Sequence, residues 1–128
     1  MFWVLFGCSG SRIEMNNLPG DVSKIKQFVN KFHDDVKLKN ELKNYLPEWS
    51  DEQINEIQEY FESECGESGT LEFNETYVSV IKQDGVETWK STVTGDLNCS
   101  SKSKLGFELT ITGDANRLAI RSYRMVAH

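Results

Sequence analysis

Large apolar residues follow two different rhythms along this chain. In the first half they recur every three or four positions, and in the second they alternate with polar ones. Val22, Ile25, Phe28, Val29 and Phe32 form one helical stripe and predict a helix over residues 22–33. Leu18-Pro19-Gly20-Asp21 before it reads as a turn, with Asp21 as the helix cap. His33-Asp34-Asp35 reads as an interruption at an exposed helix end. Val36, Leu38, Leu42, Tyr45 and Leu46 suggest a second, weaker helix that stops before Pro47. Ser50-Asp51-Glu52-Gln53 is a capping box, in which the Ser hydroxyl accepts from the Gln53 amide and the Gln side chain reaches back. Ile54, Ile57 and Phe61 carry that helix to Glu64, and Cys65-Gly66 ends it.

After Gly69 the residues favour strands. Leu71, Phe73, Tyr77, Val78, Val80 and Ile81 lead to Asp84-Gly85, a strong two-residue hairpin turn, and a strand returns over 86–94. Thr-Val-Thr-Gly-Asp-Leu-Asn at 92–98 is echoed by Thr-Ile-Thr-Gly-Asp-Ala-Asn at 110–116, and both read as a strand end running into a turn. Residues 105–112 and 117–126 complete the sheet. With 113–116 as the last loop, Ile111 faces Leu118, Leu109 faces Ile120, Phe107 faces Ser122, and Glu108 meets Arg121. The expected fold is α+β, with N-terminal helices packed on one face of a curved four-stranded antiparallel meander sheet.

The hairpin also bears on the cysteines. With Asp84-Gly85 as the turn, Cys99 falls opposite Thr70, and Cys65 lies just upstream at a helix end. The topology thus brings Cys65 and Cys99 to one corner, where a disulfide is geometrically reasonable. The alternative is two separate reduced thiols in a cytosolic protein.

At 128 residues the chain has the size of one domain, and 38% hydrophobic with 27% charged residues is an ordinary folded composition. The formal net charge of -6 argues against a nucleic-acid partner, because an acidic surface repels phosphate backbones. Charge is segregated. Lys24, Lys26, Lys31, Lys37, Lys39 and Lys43 fall in one segment, and no Lys or Arg occurs over 44–81, where carboxylates accumulate. This reads as two solvated faces of opposite sign. The acidic stretch lacks the spacing and turn glycine of a calcium loop. No zinc pattern, nucleophile elbow or phosphate-binding glycine loop occurs, so no cofactor, metal or catalytic residue is assigned.

The N-terminal stretch concerns address more than activity. Phe2, Trp3, Val4, Leu5 and Phe6 precede Gly7, Cys8, Ser9, Gly10 and Ser11. Leu5-Phe6-Gly7-Cys8 resembles the lipobox of bacterial lipoproteins: an aliphatic residue, a variable one, a small one, then the cysteine that receives lipid. The resemblance implies export and a membrane anchor on Cys8. Residues 1–17 then read as a signal remnant and flexible tether, and 18–128 as the domain. Phe6 is bulkier than usual at its position. An export signal also needs a charged start and an apolar run of at least about 7 residues, which implies a longer upstream signal. The alternative is an apolar plug or edge strand packed on the fold of an unanchored cytosolic protein. Lipid on Cys8 would leave Cys65 and Cys99 as a pair, resolving an odd count of three cysteines.

Helices followed by a meander, the Leu46-Pro47-Glu48-Trp49-Ser50-Asp51-Glu52-Gln53 segment and the Asp84-Gly85…Trp89 strand pair resemble the cystatin-like and nuclear-transport-factor-two-like (SnoaL-like) superfamily. That resemblance implies a cone with an apolar pocket between helices and sheet, and in some members acid–base work by an Asp and a Tyr. Neither role falls on a particular residue here. Trp49, Tyr60, Tyr77, Trp89 and Tyr123 are candidates to line such a pocket, or they simply fill the core. The expected function is a small lipoprotein whose domain is a binding or envelope-assembly module of unknown ligand. A pocket-containing enzyme or ligand carrier is the competing class.

Overall fold

The computed structural model describes residues 12–65, 69–99 and 104–127. Five strands and two helices follow in the order β1 (Arg12–Asn16), α1 (Pro19–Lys37), α2 (Asp51–Glu64), β2 (Gly69–Gln83), β3 (Val86–Cys99), β4 (Lys104–Asp114) and β5 (Arg117–Ala127). The sheet is antiparallel and open, with its strands in sequence order. It is therefore α+β as expected, but with five strands among the described residues and not four.

The additional strand is β1, which overturns the reading of residues 12–16 as tether. Arg12 pairs with Gln83 and Asn16 with Ser79. Ile13 and Met15 supply the alternation that a strand needs. The chain then leaves through Asn17 at φ 55, whose amide donates to the Val78 carbonyl at 2.8 Å.

Helix α1 is longer than its stripe. It starts at Pro19, where a missing N–H costs nothing, and no side chain caps it. Asp21 is not the cap but lies in the first turn, where its charge complements the helix dipole. Asp34 and Asp35 do not interrupt the helix. Asp34 stands 4.0 Å from the Lys37 ammonium, and Asp35 accepts from the Tyr45 hydroxyl and from Asn40 at 3.0 Å. The helix ends beyond them at Lys37, and the chain turns away through Lys39 at φ 58.

The weaker second helix expected over 36–46 does not form. Val36 belongs to α1, and Leu42, Tyr45 and Leu46 are buried from a run of turns. That segment covers the outer edge of β5. Ile120 donates its amide to the Tyr45 carbonyl at 2.8 Å, Trp49 Nε1 donates to the Arg121 carbonyl at 3.3 Å, and Glu48 pairs with the Arg121 guanidinium. An edge strand is thereby shielded from pairing with other chains. Helix α2 begins as expected, with the complete Ser50–Gln53 capping box.

Both helices and the sheet share one buried cluster. Ile25, Val29, Phe32 and Val36 of α1 and Ile54, Ile57 and Phe61 of α2 join Val78, Val80, Trp89, Val93, Leu97, Leu105, Phe107, Leu109, Ile111 and Ile120. Each of the larger side chains contributes on the order of 2 kcal/mol through burial.

Two irregularities set which side chains reach that cluster. In the first hairpin the expected register holds from Gln83↔Val86 to Glu75↔Thr94, and Asp84 and Gly85 take φ 52 and 79 as the turn requires. A bulge then leaves Asn74 unpaired, and Cys99 comes opposite Gly69 instead of Thr70. In the last hairpin the turn is tighter than expected, so Ile111 pairs with Ile120. A second irregularity leaves Arg121 over. Phe107 therefore faces Met125, Leu109 faces Tyr123, and Glu108 meets Arg124 at 3.4 Å, where Ser122, Ile120 and Arg121 had been expected.

The two echoed segments also diverge. The second runs into a turn, but the first lies inside β3. Gly95 has a packing reason to be there: a Cβ would sit 2.4 Å from the Glu72 carbonyl oxygen and 2.7 Å from the Phe107 ring. Gly95→Ala is expected to cost about 1–3 kcal/mol by overpacking. Urea unfolding of the variant checks this, and an unchanged midpoint would show that both the Glu72 backbone and the Phe107 ring can give way.

Candidate functional site

Cys8 lies outside the described residues. Cys65 and Cys99 are joined, with sulfurs 2.00 Å apart and Cα atoms 4.9 Å apart across 34 residues of chain. The bond ties the end of α2 to the end of β3. Gly69 packs against it, since a Cβ there would lie 3.1 Å from the Cys65 sulfur.

The five aromatics proposed as pocket lining do not meet around one space. Trp49 is half-buried beside β5. Tyr77 is exposed on β2, its hydroxyl 3.3 Å from Asn16 Oδ1. Trp89 is buried, with the Lys24 ammonium 5.8 Å from its ring centre and its Nε1 donating to Glu87 at 2.5 Å. Tyr60 is half-buried against the core. Only Tyr123 reaches a polar interior group, and that group is His33.

His33 is not at an exposed helix end. It is 4% exposed, within an aromatic shell of Phe32, Phe61, Phe107 and Tyr123. Nδ1 lies 2.9 Å from the Val29 carbonyl oxygen, and Nε2 lies 2.8 Å from the Tyr123 hydroxyl. A carbonyl only accepts, so Nδ1 carries the hydrogen and Nε2 accepts from Tyr123. Burial pushes the imidazole pKa down to about 4, the Val29 bond opposing this and Lys37 adding to it. Burial likewise raises the Tyr123 phenol well above its usual value. The pair is thus neutral and internally satisfied at neutral pH.

Beside His33 a groove of about 570 Å³ runs between α1, α2 and the start of β2. That is within the usual range for small-ligand sites. Phe61, Leu71 and Leu97 supply apolar lining, and the amides of Asn30, Asn55 and Gln58 supply donors and acceptors. Its rim is held by Lys37, which donates to the Gly69 carbonyl at 3.1 Å, and by a Lys39–Glu62 pair at 3.1 Å. Such a lining suits a ligand with an apolar body and several hydrogen-bonding groups. None of the five expected aromatics lines it. The residue that sequence reasoning missed is His33, although it follows Val29 by four positions and so extends the buried stripe.

Among the described residues there is no group of three or more His, Cys, Asp or Glu side chains placed to hold a metal ion. Among the same residues no helix is long and apolar enough to cross a membrane. Comparison with protein families, curated protein sequences and solved structures finds no match to this chain.

Proposed function

We propose that this protein is a small exported lipoprotein, held at a bacterial envelope membrane by lipid on Cys8. Its domain, with helices covering one face of a curved sheet, acts as a binding or envelope-assembly module, and the groove between α1 and α2 is where it takes its ligand. The observation that supports the reading is the cysteine bookkeeping. Of three cysteines, Cys65 and Cys99 are sulfur partners, and the third stands at the acceptor position of Leu5-Phe6-Gly7-Cys8. A structural disulfide also fits an oxidising compartment outside the cytosol. In the native host, Cys8→Ala is expected to move the protein from the membrane fraction to the soluble fraction. Equal partition of both forms would count against a lipid anchor.

A second reading draws on the groove itself. A cavity bordered by a buried ionisable side chain is what a small enzyme or ligand carrier of the nuclear-transport-factor-two-like kind would present. Native mass spectrometry tests it: a carrier copurifies with a small molecule that Asn55→Trp, which fills the groove, expels, and a chain of bare mass in both forms would count against it.

A further inference from the structure

The register of β1 fixes which end of the domain an N-terminal anchor would hold. Arg12 pairs with Gln83, and Gln83 pairs with Val86 across the Asp84-Gly85 turn. Cys8 precedes Arg12 by four residues. Fully extended, four residues span at most about 14 Å. A lipid on Cys8 therefore keeps the tip of the β2–β3 hairpin within that reach of the bilayer surface.

The tip carries side chains suited to such a surface. Val86 is 63% exposed and Ile13 is 55% exposed. They stand in successive rows of the sheet, Ile13 opposite Lys82 and Val86 opposite Gln83, and so point from opposite faces. A plane touches both only when it meets the sheet end-on. Four of the charges beside them are paired, Arg12 with Glu14 at 3.3 Å and Lys82 with Glu87 at 3.9 Å, and the exposed Asp84 of the turn adds an acidic charge, so the tip carries no basic patch. Contact then depends on the apolar pair and not on net charge, so zwitterionic headgroups suffice.

We propose that the β2–β3 hairpin tip, with Ile13 and Val86, is the membrane-contacting end of the domain, and that the inter-helix groove opens at the far end. Leu71 at the groove lies about twelve residues along β2 from Gln83, roughly 40 Å at the usual rise. The anchor thus presents the groove to a partner standing off the membrane. This rests on the lipid anchor proposed above.

The test uses the native lipidated protein in phosphatidylcholine vesicles, spin-labelled at Val86→Cys or, as the distal control, at Leu38→Cys, where Leu38 is 70% exposed beyond the end of α1. Relaxation by a water-soluble paramagnetic reagent is compared with vesicles and in detergent-free buffer after lipid removal. Several-fold protection of the label at 86 is expected, with none at 38 and no change on raising salt. Vesicle-bound protein with equal accessibility at both positions overturns the orientation while leaving the anchor standing. Failure of the protein to float with vesicles overturns both.

Discussion

Reduction of the Cys65–Cys99 bond is expected to lower the unfolding free energy by about 3–4 kcal/mol, from the loop entropy that the bond removes from the unfolded chain. The closed segment spans 34 residues and contains all of β2, the turn and β3. Losing the bond also frees the end of α2 from the corner that borders the groove. Urea unfolding with and without reductant, and of the Cys65→Ala/Cys99→Ala double variant, measures the effect. The double variant should match the reduced protein. Equal midpoints for the oxidised and reduced forms would mean that the sheet holds this corner without help.

Acid is expected to destabilise the protein through His33. Its pKa is about 4 in the fold against 6.5 for the free side chain. Between these values the unfolded chain binds a proton that the folded one refuses. Stability from this group is therefore complete above pH 6.5 and is lost as the pH falls toward 4. At about 1.4 kcal/mol per pKa unit the loss approaches about 3 kcal/mol. Carboxylates titrate in part of the same range, so the readout is a difference. The His33→Phe/Tyr123→Phe variant removes both polar partners from the aromatic shell. Its stability should fall less than that of the wild type between about pH 7 and about pH 4.5 by most of that amount. Parallel pH profiles for the two proteins would show that His33 does not titrate as its burial implies.

Much of the fold is legible where one residue type has one job. Asp84-Gly85 specifies its turn because both positions need positive φ, and Ser50 with Gln53 specifies a helix start through two reciprocal hydrogen bonds. These local signals place α2, the first hairpin and, through it, the cysteine corner. The bulges are another matter. An unpaired Asn74 or Arg121 leaves no mark on the hydrophobic periodicity, yet each shifts everything beyond it. At Asn74 the cost is one residue, and the disulfide survives because its two ends are still within reach. At Arg121 the extra residue turns Tyr123 inward to His33, so the buried polar pair is invisible without the register.

Two other departures share a cause. Arg12 to Asn16 is short and mostly polar, and beside a Gly/Ser stretch it reads as tether; only pairing with β2 makes it a strand. Leu42, Tyr45 and Leu46 have helical spacing, but the pull of β5's open edge on the Tyr45 carbonyl and the Trp49 indole competes with a helix. In both cases a partner distant in sequence decides the local conformation. The groove was not legible for the same reason. Asn30, Asn55 and Gln58 are ordinary exposed helix residues until α1 and α2 are set side by side.

Mass spectrometry of the protein extracted from membranes of its native host decides whether Cys8 carries lipid. The expected species is a mature chain that begins at Cys8, carries the added mass of lipid on that residue, and holds Cys65 and Cys99 as a disulfide. A chain that retains Met1 with an unmodified Cys8 would rule the anchor out.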